Sequence, residues 1–235
     1  MAIQLQYKDD SLDLIARREE NGLAVRRDFF DLYAEDLKEA SKALALAFAN
    51  GCRVFLCGSG TSHAVAEILA GRLINPEAPD RAPLPAMPLS AAPQGMPSPE
   101  NGADGDRIFA RQLEAFGQDG DVLVVFSADG QSQRLAEAAR TAREQGMFIL
   151  GATGGDGGTL SAEDLLDVEL RVPSIEESLV QELHVAIACL LSELCDYYLY
   201  TKPEILREMF QAGAGIPGDG DAGGADSADP AEPAG

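Results

Sequence analysis

Residues Val54–Ser62 read V-F-L-C-G-S-G-T-S, and an apolar-periodic stretch starts immediately afterwards at His63. A short apolar run closed by glycines and hydroxyls predicts a buried strand, a tight loop and the start of a helix. Glycines let a backbone approach a ligand closely. The first turn of a helix offers unpaired N–H groups and a partial positive charge. The hydroxyls of Ser59, Thr61 and Ser62 add donors, so the junction suits an anion, most often a phosphate. No Gly-Lys-Ser/Thr follows, which excludes a Walker loop, and Ala66 alone does not make a dinucleotide fingerprint.

Working outward, residues Ser11 to Ala49 predict one long helix with Phe30, Tyr33, Leu37, Ala40, Leu44 and Phe48 on one face. Lying before the first strand, it cannot be a crossover; it packs either across the domain or against a second subunit. A helix from His63 to about Leu73 buries Val65, Ile68, Leu69 and Leu73. The linker 76–83 leads to a second strand, Leu84 to Leu89, which Pro85 and Pro88 make short or confine to an edge. Residues 91–106, rich in Pro, Gly and acids, form a long loop, either a lid or a mobile segment.

A helix from Asp106 to Phe116 turns Ile108, Phe109, Gln112, Leu113 and Phe116 inward. Val122 to Phe126 is a continuous apolar run, as a parallel strand covered on both faces requires. It ends in S-A-D-G-Q-S, 127–132, and a helix with Leu135, Ala138, Ala139 and Ala142 buried follows. Met147 to Ala152 is the fourth strand, ending in T-G-G-D-G-G, and Val168 to Val172 the fifth. The broad apolar stripe over Glu176 to Tyr200 places a last helix centrally or at a subunit interface. Alternation of this kind predicts an α/β fold with a doubly wound, five-stranded parallel sheet. Its ligand site lies beyond the carboxyl ends of the strands, where the loops 58–62, 127–132 and 153–158 converge.

With 235 residues, 46% of them apolar, the chain can bury one sizeable core. Its net charge is −21, of which five acids lie in 213–235, leaving −16 on 1–212. Such a body repels nucleic acid and anionic membranes, so no direct nucleic-acid or membrane partner is expected, although a basic protein partner fits. Cys52, Cys57, Cys189 and Cys195 lack metal-knuckle spacing and read as reduced thiols. No signal segment is evident and no apolar run approaches the roughly 20 residues that cross a bilayer, which points to a cytoplasmic protein.

Several motifs together carry a family resemblance: G-S-G-T-S at 58–62, L-P-A-M-P-L at 84–89 and G-D-V-L-V-V-F-S-A-D-G-Q-S at 120–132. A-A-R-T-A-R-E-Q-G-M at 138–147, G-A-T-G-G-D-G-G at 151–158, D-V-E-L-R-V-P-S at 167–174 and V-Q-E-L-H at 180–184 extend it. Over roughly 28–200 the chain resembles the sugar isomerase (SIS) domain family, in the branch of phosphoheptose isomerase and the DnaA initiator-associating protein. The resemblance implies a flavodoxin-like SIS fold with long N- and C-terminal helices. The expected organisation is a helical segment 1–50, an SIS domain 51–200, an extension 201–212 and a disordered acidic tail 213–235.

The resemblance also implies a phosphosugar site of Ser59, Thr61, Ser62, Ser127, Asp129, Ser132 and Gln181. Asp129 replaces a phosphate-binding hydroxyl; it must turn outward, meet a cation, share the phosphate's proton, or simply cap the following helix. Isomerases of the family move a proton through an enediol with a glutamate and a histidine, some with zinc. Gln181, Glu182 and His184 match the last-helix pattern, but Cys189 occupies the position of the catalytic histidine. His63 and Glu67 echo the first-helix pair but sit more than a turn early, and counting back from Gly71 puts Ile68 near the glutamate position.

Glu67 and His184 are therefore the candidate catalytic pair, and His63, Glu67, Gln181 and Cys189 a conceivable zinc set. The expected function is phosphosugar binding without the usual acid/base pair. The alternatives are an active isomerase converting sedoheptulose 7-phosphate to D-glycero-D-manno-heptose 7-phosphate, and a DnaA-associating scaffold. A homodimer or homotetramer is expected in each case.

Overall fold

β1 (Val54–Gly58) pairs in parallel with β3 (Val122–Phe126) from Val54 opposite Val122 to Gly58 opposite Phe126. All ten residues of the two strands are buried, which is what makes their sequences continuously apolar. The computed structural model describes residues 9–75, 81–91 and 103–211. Most of the 76–83 linker and of the 91–106 loop, and the whole 213–235 tail, lie outside the described residues. β2 (Ala86–Pro88), β4 (Phe148–Gly154) and β5 (Val168–Val172) complete a parallel sheet in the order β2-β1-β3-β4-β5. The expected five-stranded α/β sheet is thus present. β2 is the short edge strand its prolines predict.

Alternate residues serve the two faces. Leu56, Val124, Phe126, Leu150 and Leu170 meet α1 (Ser11–Ala49), α2 (Ser62–Ile74) and α7 (Glu177–Asp196). Phe55, Leu123, Val125 and Ile149 meet α4 (Ile108–Phe116), α5 (Gln133–Glu144) and α6 (Gly158–Ala162), while the short α3 (Ala103–Asp106) precedes α4. α1 spans the residues its periodicity predicts and packs on α7 and β5 of its own domain. Its first half leaves Leu12, Leu14, Ile15 and Leu23 exposed. Phe29, fully buried, is a core position the periodic reading left out.

Four expectations are corrected. β4 runs on to Gly154, because Thr153 and Gly154 pair with Arg171 and Val172 of β5. The last helix gives way to a π-turn at Tyr197–Thr201 before α8 (Pro203–Gln211), so 201–211 is largely helical. The stretch Glu177–Thr201 is long and apolar enough to cross a membrane, yet half of it is buried here: it is apolar because it packs against α1 and α2. Phe116, expected inside, is 52% exposed because it ends α4 beyond the sheet-facing Leu113, and Ile68 is 41% exposed. Phe116→Ser should therefore change the unfolding free energy by less than about 0.5 kcal/mol, as measured by urea denaturation.

Candidate functional site

The three strand-end loops meet at the carboxyl edge of the sheet, and backbone contact holds them. Gly58 has no room for a Cβ: that atom would lie 2.5 Å from the Ser62 carbonyl oxygen, since the start of α2 folds back over the end of β1. The N–H groups of Ser62, His63 and Ala64 close on the carbonyls of Ser59, Gly60 and Thr61. Those three donors are therefore spent within the turn, against the expectation of a free first turn, while Gly60 and Thr61 N–H carry no bond to a described residue. Loop 127–132 lies against loop 153–158, with Leu160 N–H donating to Gly130 O at 3.2 Å.

Above β1 and β3, on the α4/α5 side, lies a pocket of about 470 Å³. Ser59, Gly60 and His63 form one wall, Asp106 and Phe109 a second, and Ser132, Gln133 and Arg134 a third. The His63 ring stacks on Phe109 with centroids 6.1 Å apart. The N–H groups of Ser132, Gln133 and Arg134, at the start of α5, make no hydrogen bond with a described residue. Ser62, 1% exposed, keeps a buried hydroxyl without a partner, and so does His63 Nδ1. On the opposite side of the loop, Gln181 Nε2 donates to Thr61 Oγ1 and, at 2.7 Å, to Glu177 Oε1.

A family model described as "SIS domain" matches residues 20–154, more than half of the chain. The chain belongs to the SIS domain family. Among curated relatives, the phosphoheptose isomerase of Desulfovibrio desulfuricans is 37% identical over 204 residues, covering 87% of this chain and 96% of the relative. The DnaA initiator-associating protein DiaA of Yersinia pestis is 38% identical over 162 residues, covering 68% and 83%. The solved phosphoheptose isomerase of Francisella tularensis superposes with a TM-score of 0.74 at 30% identity, covering 79% of this chain and 98% of that one.

On this SIS scaffold the residues expected from sequence divide into groups. Ser59 and Ser132 line the pocket, as does His63. Thr61 and Gln181 hold each other. Ser127 is fully buried, its Oγ accepting from Gly130 N–H at 3.0 Å and donating to Asp129 Oδ1 at 3.4 Å. Asp129 also accepts from Gln131 N–H at 3.0 Å, so its carboxylate closes the loop on itself; the helix cap position belongs to Ser132.

His184 is fully buried on α7. Its Nε2–H donates to Thr153 O at 3.2 Å, its ring meets Phe126 edge-on, and Nδ1 has no partner. Burial drives its pKa down to about 4 against the pull of the Thr153 bond. Glu67 is exposed on α2, with its Oε1 3.9 Å from His63 Nε2. Among the described residues no three His, Cys, Asp or Glu side chains gather around a common point, so His63, Glu67 and Cys189 do not assemble a zinc site. All four cysteines are free; Cys57 and Cys195 are buried, and burial pushes both thiols far up.

Sequence reasoning missed Asp106, Phe109, Gln133, Arg134 and Glu177. Arg134 had a signal, a base in the first helical turn that follows an anion-type loop. Glu177 had none, because its partner Thr61 is 116 residues away.

Proposed function

We propose that this SIS domain binds a phosphosugar and lacks the family's usual isomerase acid/base pair. The pocket over β1 and β3 carries the reading: hydroxyls, unbonded N–H groups and an arginine line a space large enough for a sugar phosphate. The buried His184 and the Cys189 in place of a histidine support the loss of turnover. The exposed Leu12, Leu14, Ile15 and Leu23 of α1 support a homo-oligomer, and the acidic composition with free cysteines fits a cytoplasmic setting.

The test is a thermal-shift and turnover assay with sedoheptulose 7-phosphate, with and without zinc. At a hundredfold excess over Kd the ligand should add about 2.7 kcal/mol, a rise of roughly 5–10 °C in Tm, with no heptose 7-phosphate formed. The identity to named phosphoheptose isomerases favours a second reading, an active isomerase. Product formation that disappears in Glu67→Gln would establish it. The likeness to DiaA favours a scaffold that retains a DnaA-type partner; no thermal response to the sugar together with retention on immobilised DnaA would replace the phosphosugar reading with that one.

A further inference from the structure

β5 is an edge strand, yet its second residue, Glu169, has a side chain only 16% exposed. A carboxylate so placed needs partners for both oxygens. Oε1 accepts from the Thr153 hydroxyl at 2.5 Å, and Oε2 from the Ser161 hydroxyl at 2.9 Å and from Arg171 at 2.6 Å. Arg171 also donates to Ser161 Oγ at 3.0 Å. An ion pair along the strand would need Arg171 alone. Here Oε1 is turned to a different use.

That use follows from where Thr153 and Ser161 stand. Thr153 begins the loop 153–158 and Ser161 lies in α6, which follows the loop, so one carboxylate fastens both ends. Gly157 passes the same carboxylate so closely that a Cβ would lie 2.4 Å from Glu169 Oε1. The Gly157 carbonyl oxygen presses in turn on Gly130, whose own O accepts from Leu160 N–H. Ser132, at the end of the loop 127–132, lines the pocket, whereas Glu169 does not. Arg171 bonds to Glu169 and Ser161 but to no described residue of 153–158.

We propose that Glu169 is a positioning residue for the pocket: by clamping loop 153–158 at the sheet edge it holds loop 127–132, and with it the wall that carries Ser132. A side chain outside the pocket then sets affinity, because contacts that depend on fixed geometry are forfeited when a wall shifts by about 1 Å. The effect on a ligand rests on the phosphosugar reading of the same pocket.

The experiment is calorimetric titration of the full chain with sedoheptulose 7-phosphate for wild type, Glu169→Ala, Glu169→Gln, Thr153→Val and Arg171→Met, with urea unfolding and the backbone amide spectrum of each. Glu169→Ala should weaken the sugar phosphate about tenfold or more and Thr153→Val about threefold or more. Glu169→Gln, whose amide oxygen still accepts from Thr153, should recover most of the loss. Arg171→Met should lower the urea midpoint yet leave affinity within about twofold, a separation that a purely structural role for the cluster does not give. The amide resonances of Gly130 and Ser132 should move in Glu169→Ala and Thr153→Val and stay in place in Arg171→Met. Wild-type affinity in folded Glu169→Ala, or a loss in Arg171→Met as large as in Glu169→Ala, overturns the assignment and leaves the phosphosugar reading standing. If Glu169→Ala does not fold, Thr153→Val carries the same test. A wild type that binds no sugar phosphate overturns the phosphosugar reading, and unmoved Gly130 and Ser132 resonances in Thr153→Val overturn the clamp whether or not the sugar binds.

Discussion

Gly130→Ala is expected to lower the unfolding free energy by about 3 kcal/mol or more and to abolish sugar-phosphate binding. Gly130 has φ +68, where an L side chain costs about 1–2 kcal/mol. The larger effect is steric. A Cβ at Gly130 would lie 1.9 Å from Gly157 O and 2.4 Å from Gly157 C, and a Cβ at Gly158 would lie 2.4 Å from Asp129 O. These neighbours are backbone, so no side chain can swing away, and the loops 127–132 and 153–158 must separate. Their separation moves Ser132 and the start of α5, and with them one wall of the pocket. Gly60→Ala is the control: φ is +55 but nothing lies within 4 Å of the added atom, so only the conformational cost of about 1–2 kcal/mol applies. Urea denaturation at unchanged m-value reads both variants. Equal losses for the two would show that the loop contact is not what makes Gly130 necessary.

The second large effect is on acid stability. His184 is neutral in the native state, with a pKa near 4, against about 6.5 in the unfolded chain. Between these values the unfolded state binds more protons than the native one, so stability is fully present above pH 6.5 and is lost as pH falls towards 4. The shift corresponds to about 3 kcal/mol over that window. Burial also raises the Asp167 carboxyl, which acts in the opposite direction in acid, so the His184 share is read as a difference between proteins. His184→Gln keeps an N–H for Thr153 O and does not titrate. Across the window the variant should therefore lose less stability than wild type, by about the His184 share. Parallel pH curves would mean that the imidazole is charged or solvated in the native protein.

This placement bears on function as well as stability. An acid/base group must reach both substrate and protons, yet His184 is enclosed by Phe126, the Thr153 carbonyl and the core of α7. Gln181 and His184 stand about one turn apart on α7, yet Gln181 reaches Thr61 while His184 is bonded to Thr153 O and packed on Phe126.

How much could be read without the fold follows the range of the interaction. The V-L-V-V-F run at 122–126 announces burial on both faces because each residue reports its own surroundings, and the observed strand has those bounds. The long α1, the short edge strand β2 and the strand-end loops were legible for the same reason: periodicity, proline and glycine act locally. Local pattern failed at Phe116, where the packing of α4 on the sheet decides, and at the helix turn after Ser62, where three-residue backbone bonds that side-chain pattern does not report use up the donors. Sequence by itself determined the α/β architecture, the family and the edge of the sheet where a ligand belongs. Only the tertiary structure decided which side chains are spent and which are free. His184 lies in the core against Thr153 and Phe126, Thr61 is held by Glu177 and Gln181, and Arg134 faces a pocket unpaired, because these partnerships depend on neighbours brought together by the fold across some thirty to more than a hundred residues of chain.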